Sequence, residues 1–323
     1  MRVYRHVDEL PDGFGPSIVS VGNFDGIHRA HHIVLGQVVQ RARATGWQAV
    51  AVTFDPHPMR VLRPDVAPRL ITPGEVKLRL LEQTGIHAVL LLPFSRDLSL
   101  MSPRDFAEQI LEKALCAREL HEGFNFRFGH RAQGNVTQLA EFGRHMGFEV
   151  TVYPALTIRG EVVSSSRIRE LLLHGDVNRA RHLLGRVFSI VSTPGRGRGY
   201  GHKYTVPTIN LSRYDELVPK NGVYITRTRV SGEVFDSVTN VGVRPTFGPD
   251  SFAIESHLLN FHPISLTAQT EVELCFLDRI RDEKKFPTVE ELREQIARDV
   301  HHARRYFHLA TNVLGSARGQ DHS

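Results

Sequence analysis

Hydrophobic and polar positions along the chain fall into two textures. In the first half, short apolar runs alternate with stretches of helical spacing. Ser17–Val21 is an apolar run ending at Gly22, the pattern of a buried strand. From His31 to Ala44, the residues Ile33, Val34, Val38 and Ala42 fall near one face of a helix. Gln48–Phe54, His87–Leu92 and Glu149–Tyr153 read as further strands. Thr72-Pro73-Gly74-Glu75 has a capping-box pattern with proline at the first helical position, and opens a helix to Gln83. Ser102-Pro103-Arg104-Asp105 starts another helix, and a further one lies near Val136–Met146. Ser165 and Ser166 can cap a short helix, Arg167–His174, closed by Gly175; the next, Val177–Leu184, ends at Gly185. Strands alternating with helices predict an α/β fold with a parallel sheet covered on both faces.

After Arg186 the texture changes. Val187–Val191, Gly222–Val230, Val234–Val241, Phe252–Phe261 and Thr270–Leu277 are strand-like and separated by Gly, Pro and Asn turns, which predicts a small antiparallel β-barrel. Pro287–Phe307 is helical, with Leu292, Ile296 and Val300 on one stripe. The expected organisation is a first domain over 1–186, a barrel with a C-terminal helix over 187–310, and a disordered tail over 311–323. A chain of 323 residues suits two domains of about 150 residues each.

Composition narrows the function classes. No apolar run approaches the roughly 20 residues a bilayer needs, and Met1–Leu10 lacks a signal-peptide core. Cys116 and Cys275 lie far apart and offer no metal-ligand spacing. A cytoplasmic protein with reduced thiols is expected. The net charge of +5 suits an anionic ligand such as nucleotide phosphate. The basic residues are dispersed, so neither a nucleic acid nor a membrane is expected as partner.

The segment Gly22-Asn23-Phe24-Asp25-Gly26-Ile27-His28-Arg29-Ala30-His31 lies between the first strand and the first helix, where an open parallel sheet presents its ligand crevice. Helix N-terminal N–H groups there attract phosphate, and His28 and His31 can donate to charge developing on transferring phosphates. A lone H-x-x-H is more commonly a helix cap, a half-buried pair or a metal site. Three more segments follow in order: Thr53-Phe54-Asp55-Pro56-His57-Pro58, Gly123-Phe124-Asn125-Phe126-Arg127-Phe128-Gly129-His130, and Val163-Ser164-Ser165-Ser166-Arg167-Ile168-Arg169. Together they resemble the bacterial bifunctional riboflavin kinase/FAD synthetase family, with its G-x-F-D-G-x-H-x-G-H, T-F-x-P-H-P, G-x-N/D-F-R-F-G and I-S-S-T-x-I-R elements. The resemblance implies a Rossmann-like nucleotidylyltransferase domain that transfers an adenylyl group from ATP to FMN, with Mg²⁺ at the phosphates and FAD as product. It implies catalytic roles for His28 and His31 and nucleotide contacts from Gly22, Phe24, Asp25, Asn125, Arg127, Ser164, Ser165 and Arg167. Asn125 is also expected at the flavin phosphate.

In the second half, Pro207-Thr208-Ile209-Asn210, Asn240-Val241-Gly242-Val243-Arg244-Pro245-Thr246-Phe247 and Ile254-Glu255-Ser256-His257 resemble the riboflavin kinase elements P-T-A-N, N-I-G-x-R-P-T-F and E-x-H. The resemblance implies that Thr208 and Asn210 meet Mg²⁺, Glu255 takes the proton from the ribityl hydroxyl of riboflavin, Arg244 contacts flavin, and Gly197 and Gly201 lie along the nucleotide. The chain departs from the pattern at Ala30, where the family has Gly, and at Tyr200, His202 and Thr205 in the loop before Pro207. Two alternatives therefore stay open beside the bifunctional enzyme: a specialised paralogue acting on a flavin analogue or another nucleotide, and a flavin-binding regulatory protein with an impaired kinase domain.

Overall fold

Residues that must leave water on both sides build the centre of the first unit. All five side chains of Ser17–Val21 are buried, and neighbours in the chain point into different layers. In the computed structural model, which describes residues 1–195, 208–243, 252–262 and 264–318, the chain divides into two units, Met1–Arg167 and Ile168–Ser323.

The first unit holds strands β1 (Arg2–Tyr4), β2 (Ser17–Val21), β3 (Gln48–Asp55), β4 (Ala88–Pro93), β5 (Ala117–Gly123) and β6 (Glu149–Tyr153). They form a sheet in the order β1-β4-β3-β2-β5-β6, and every neighbouring pair is parallel. Helices α1 (Arg29–Thr45) and α2 (Gly74–Gln83) cover one face; a π-helix α3 (Phe106–Ala114) and helix α4 (Val136–Met146) cover the other. Alternation divides the core accordingly. Ile18, Ala49 and Val89 pack with Leu35, Val38 and Leu81. Val19, Val50 and Leu90 pack with Ile110, Leu111 and Leu139. Each fully buried leucine contributes about 1.5–3 kcal/mol. The strand order runs outward from β2 in one direction and from β5 in the other. The gap between the carboxyl ends of β2 and β5 is therefore the topological switch point, where open sheets bind ligands.

Two strands of this sheet, β1 and β5, were not legible in the pattern. The Thr72 capping box is also corrected. Helix α2 begins at Gly74 with no side-chain cap, because the Thr72 hydroxyl accepts the Gly26 N–H at 2.8 Å instead.

Helix α5 (Ser165–Leu173) carries the division between the units, and α6 (Val177–Leu184) follows. The sheet of the second unit contains β7 (Phe188–Ser192), β8 (Thr208–Asn210), β9 (Gly222–Val230), β10 (Glu233–Val243), β11 (Phe252–Leu258) and β12 (Val272–Arg281), in the order β7-β12-β9-β10-β11-β8. All its pairings are antiparallel, and it curls into a half-barrel. The two-residue turn Ser231-Gly232, with φ of 53° and 81°, joins β9 to β10 in the geometry that matches strand twist. Helix α6 packs on β7 and β12, and the Lys220 N–H donates to the Leu172 carbonyl at 3.0 Å. The stretch 168–186 thus belongs with the half-barrel, where the sequence pattern places the division near Arg186. Helix α7 (Val289–Arg318) lays Ala303 and Phe307 over Val223, Ile225 and Val238. It continues through most of the segment 311–323 expected as a disordered tail.

The inner face of the half-barrel is unusual in being hydroxylated. Thr226, Thr228, Ser237, Thr239 and Ser256 are fully buried. Thr239 Oγ1 donates to Ser256 Oγ at 3.1 Å, and Ser256 meets Thr228 at 2.8 Å. Thr228 meets Ser237 at 2.9 Å, Ser237 meets Thr226 at 2.8 Å, and Thr226 meets Thr239 at 2.7 Å. The bonds close a ring in which each hydroxyl can donate once and accept once, so each of the five has two partners.

Candidate active sites

The loop from Gly22 to His28 leaves β2 at the switch point and enters α1. Its backbone is held in conformations that side chains rarely adopt: φ is 45° at Phe24, 88° at Gly26 and 35° at Ile27. A β-branched residue at positive φ is strained by about 1–3 kcal/mol and persists only where its surroundings over-determine it. Here they do. Ile27 is fully buried. The Asp25 carboxylate accepts the N–H groups of Ile71 and Thr72 at 2.9 and 3.0 Å. The Asp25 carbonyl accepts the Ser165 hydroxyl at 2.7 Å, and the Gly22 N–H donates to the Val52 carbonyl at 3.0 Å. A methyl at Gly22 would come within 3.3 Å of the Phe24 ring.

His28 is the N-cap of α1: its Nδ1 accepts the His31 N–H at 3.4 Å, and the side chain is only 5% exposed. With Nδ1 accepting, the neutral ring carries its hydrogen on Nε2. The His28 and His31 rings stack with centroids 3.7 Å apart and planes 14° apart, and the Phe24 ring packs edge-on against His31 at 5.2 Å. The imidazoles thus sit at the positive end of a 17-residue helix. Ala30 lies in the first turn of α1, where helical backbone accepts alanine without strain.

The Ser-Arg turn adjoins this loop through the Ser165 bond. Ser164, one residue earlier than expected, supplies the cap: its hydroxyl accepts the Arg167 N–H at 3.2 Å. The Arg167 guanidinium donates to Glu161 at 2.6 Å. Opposite, a cavity of about 570 Å³ opens at the same sheet edge, lined among others by Val21, Asn23, Phe54, Phe126, Arg127 and Phe128. The imidazole pair does not line it; Asn23 of the His28 loop does. Asn125 is exposed in the adjoining turn, closed by the Phe126 N–H donating to the Gly123 carbonyl at 2.9 Å.

Two groups missed in the sequence stand beside this loop. Lys77 of α2 is buried, with its ammonium on the carbonyls of Asn23 and Phe54 and the hydroxyl of Thr53. Glu122 of β5 is 2% exposed and accepts the Val21 N–H at 2.7 Å. Burial pushes its carboxyl well above the usual carboxylate range, against the pull of that N–H. For Lys77 a signal existed: it lies four residues before buried Leu81, on the core stripe of α2, where a charge is out of place.

In the second unit, cross-strand register assembles the other group of residues. Asn210 and Asn240 both pair with Glu255, from the two sides of β11, and Thr208 pairs with His257. Directly opposed residues share a face with Cβ atoms about 4.5–5.5 Å apart, so Thr208, Asn210, Asn240, Glu255 and His257 form one polar patch. Burial, aided by Arg304 of α7, pulls His257 down to about 4, which keeps its ring neutral. Gly197, Gly201 and Arg244, together with Tyr200, His202 and Thr205, lie outside the described residues. No helix among the described residues is long and apolar enough to cross a membrane.

Comparison with known proteins matches both units. The FAD synthetase family model covers residues 12–167, and the riboflavin kinase model covers 184–307. The bifunctional riboflavin kinase/FMN adenylyltransferase of Bacillus subtilis is 35% identical, over 90% of this chain and 92% of its own. That of Escherichia coli is 31% identical, over 90% and 93%. A crystal structure described as a macrolide-efflux protein from Streptococcus pneumoniae superposes with a TM-score of 0.84 at 26% identity, covering 94% of this chain and 98% of that one. With identity of this order along nearly the full length of such relatives, and both halves matched in order, the chain belongs to the bifunctional riboflavin kinase/FMN adenylyltransferase family.

Proposed function

We propose that the chain carries out both reactions for which its relatives are named: ATP-dependent phosphorylation of riboflavin to FMN in the half-barrel unit, and adenylylation of FMN to FAD in the parallel-sheet unit. The observation that carries the second assignment is the joining of the strained Gly22–His28 loop to the Ser-Arg turn at a helix N-terminus on the sheet's switch point.

In adenylyl transfer, an oxygen of the FMN phosphate attacks the α-phosphorus of ATP. The bond from that phosphorus to the bridging oxygen breaks, and pyrophosphate leaves. N–H groups of the first turn of α1 receive the phosphates. His28, with a hydrogen on Nε2, and His31 beside it stabilise the charge that develops on the transferring and departing groups. Positioning and electrostatics carry the rate, and no covalent enzyme intermediate is needed. The aromatic-lined cavity next to Asn125 and Arg127 suits an isoalloxazine ring with its phosphate turned toward the loop. In the kinase reaction the ribityl hydroxyl attacks the γ-phosphorus, ADP leaves, and Glu255 accepts the hydroxyl proton. The oxygen donors Thr208 and Asn210, flanking that carboxylate, fit a hard cation and would hold Mg²⁺; the ion would neutralise phosphate charge. Both cysteines are free, in keeping with a reduced cytoplasmic setting.

The test is incubation of the purified chain with Mg²⁺ and ATP and either riboflavin or FMN, with products separated by chromatography. FMN from riboflavin and FAD from FMN are expected. FAD formation without FMN formation would remove the kinase assignment; absence of both, in folded protein, would remove the reading altogether. Parallel reactions with other nucleoside triphosphates and flavin analogues identify a retuned paralogue by its preference.

A further inference from the structure

Lys77 projects from α2 toward the sheet edge and is only 8% exposed. Its ammonium donates to the Asn23 carbonyl at 3.5 Å, the Thr53 hydroxyl at 3.3 Å and the Phe54 carbonyl at 3.2 Å. The Thr53 hydroxyl itself donates to the Asn23 carbonyl at 3.3 Å. An ammonium has three hydrogens, and three oxygens receive them, so all its donors are engaged by the protein. Taking a cation out of water is costly, and an apolar side chain would fill this core position without that cost. Burial favours loss of its proton, and the nearby charges of Asp25 and Asp55 oppose this.

The three acceptors belong to two segments. Asn23 sits in the loop that delivers His28 to the head of α1. Thr53 and Phe54 end β3 and lead into the Asp55–Pro58 segment. Asn23 and Phe54 both line the large cavity. We propose that Lys77 is a positioning residue for adenylyl transfer: its ammonium ties the His28 loop to the end of β3 and fixes the spacing between the imidazole pair and the flavin cavity. The proposal rests on the reading that the Gly22–His31 loop is the adenylyl-transfer site.

The test uses the full chain with Lys77→Met, which keeps the side-chain length and removes the charge and donors, Lys77→Arg, and His28→Ala in parallel. Riboflavin phosphorylation in the other unit serves as internal control. For Lys77→Met, kcat for FAD formation is expected to fall at least about tenfold, as misplaced catalytic groups do. The KM for ATP should stay within about threefold, since first-turn phosphate contacts remain. Lys77→Arg should recover part of kcat, and FMN formation should not change. If Lys77→Met turns over within about twofold of the parent while His28→Ala is inactive, the positioning role is wrong and the site reading survives. If His28→Ala also keeps its turnover, the site itself is misplaced and the proposal falls with it. Should Lys77→Met not fold, Thr53→Val removes one acceptor and leaves the cation; a kcat equal to the parent's in that variant overturns the proposal.

Discussion

A histidine that caps a helix still has a second nitrogen for chemistry, and at His28 the two uses can be separated. Asparagine is among the best N-caps, whereas alanine costs about 1 kcal/mol at such a position. His28→Asn should therefore keep the thermal midpoint close to the parent's and lose FAD formation by orders of magnitude, while His28→Ala loses the activity and also has a lowered midpoint. Retained turnover in His28→Asn would mean that the imidazole does no more than hold the helix end. Glu122 gives a second measurable case. The folded chain keeps a proton on this buried carboxyl that the unfolded chain releases above about pH 4.3. Its contribution is thus fully present below that pH and declines as pH rises toward the folded value. Glu122→Gln keeps an acceptor for the Val21 N–H and has no proton to lose. Its thermal midpoint should match the parent's near about pH 4 and exceed it near about pH 8; equal midpoints at both would contradict the burial effect. Residues that stand in a local motif, such as His28 and Ser165, could be picked out from sequence as candidates. Glu122 could not, because its meaning comes from Val21, a partner nearly the length of a domain away in the chain. The roles of Asp25 and Arg167 were likewise only half legible. Their side chains engage backbone N–H groups and Glu161, respectively, which no spacing reveals.

Among the elements, β5 is the instructive omission. Ala117–Gly123 reads Ala-Arg-Glu-Leu-His-Glu-Gly, with no apolar period, yet it lies between β2 and β6. It can do so because its polar groups are answered in place. Arg41 of α1 donates to Glu119 at 2.9 Å, and His121 meets the Tyr153 hydroxyl at 2.7 Å. Strands that solve burial by bonding rather than by apolarity escape hydrophobic patterning. Helix α4, in contrast, was legible in place; Asn135 caps it and Gly147, with φ of 79°, ends it. That helix also contains a prediction. A methyl at Gly143 would stand 2.3 Å from the Phe148 carbonyl oxygen and 2.8 Å from its ring. Gly143→Ala raises helix propensity in isolation, yet should destabilise the unit by about 1–3 kcal/mol through overpacking, as read by denaturant unfolding. An unchanged or higher midpoint would show that the helix end yields freely.

At the scale of the whole chain, each unit contains the residues proposed for one reaction. Glu255→Gln should abolish FMN formation and leave FAD formation from FMN at the parent's rate, and His28→Asn should do the reverse. Loss of both reactions from either change would contradict this assignment. The order of motifs made the two-unit plan legible, while the place of 168–186 was not, since the packing of α6 on β7 and β12 and the Lys220–Leu172 bond assign it. The hydroxyl ring inside the half-barrel has a consequence for how such a chain can drift. Every member is at once creditor and debtor to its neighbours, so the first replacement strands two of them. Thr226→Val should cost about 1–3 kcal/mol. Adding Ser237→Ala should then cost less than that change does in the parent, a coupling visible in a double-mutant cycle. Change at one position at a time therefore meets its steepest penalty at the first step out, and each later step costs less.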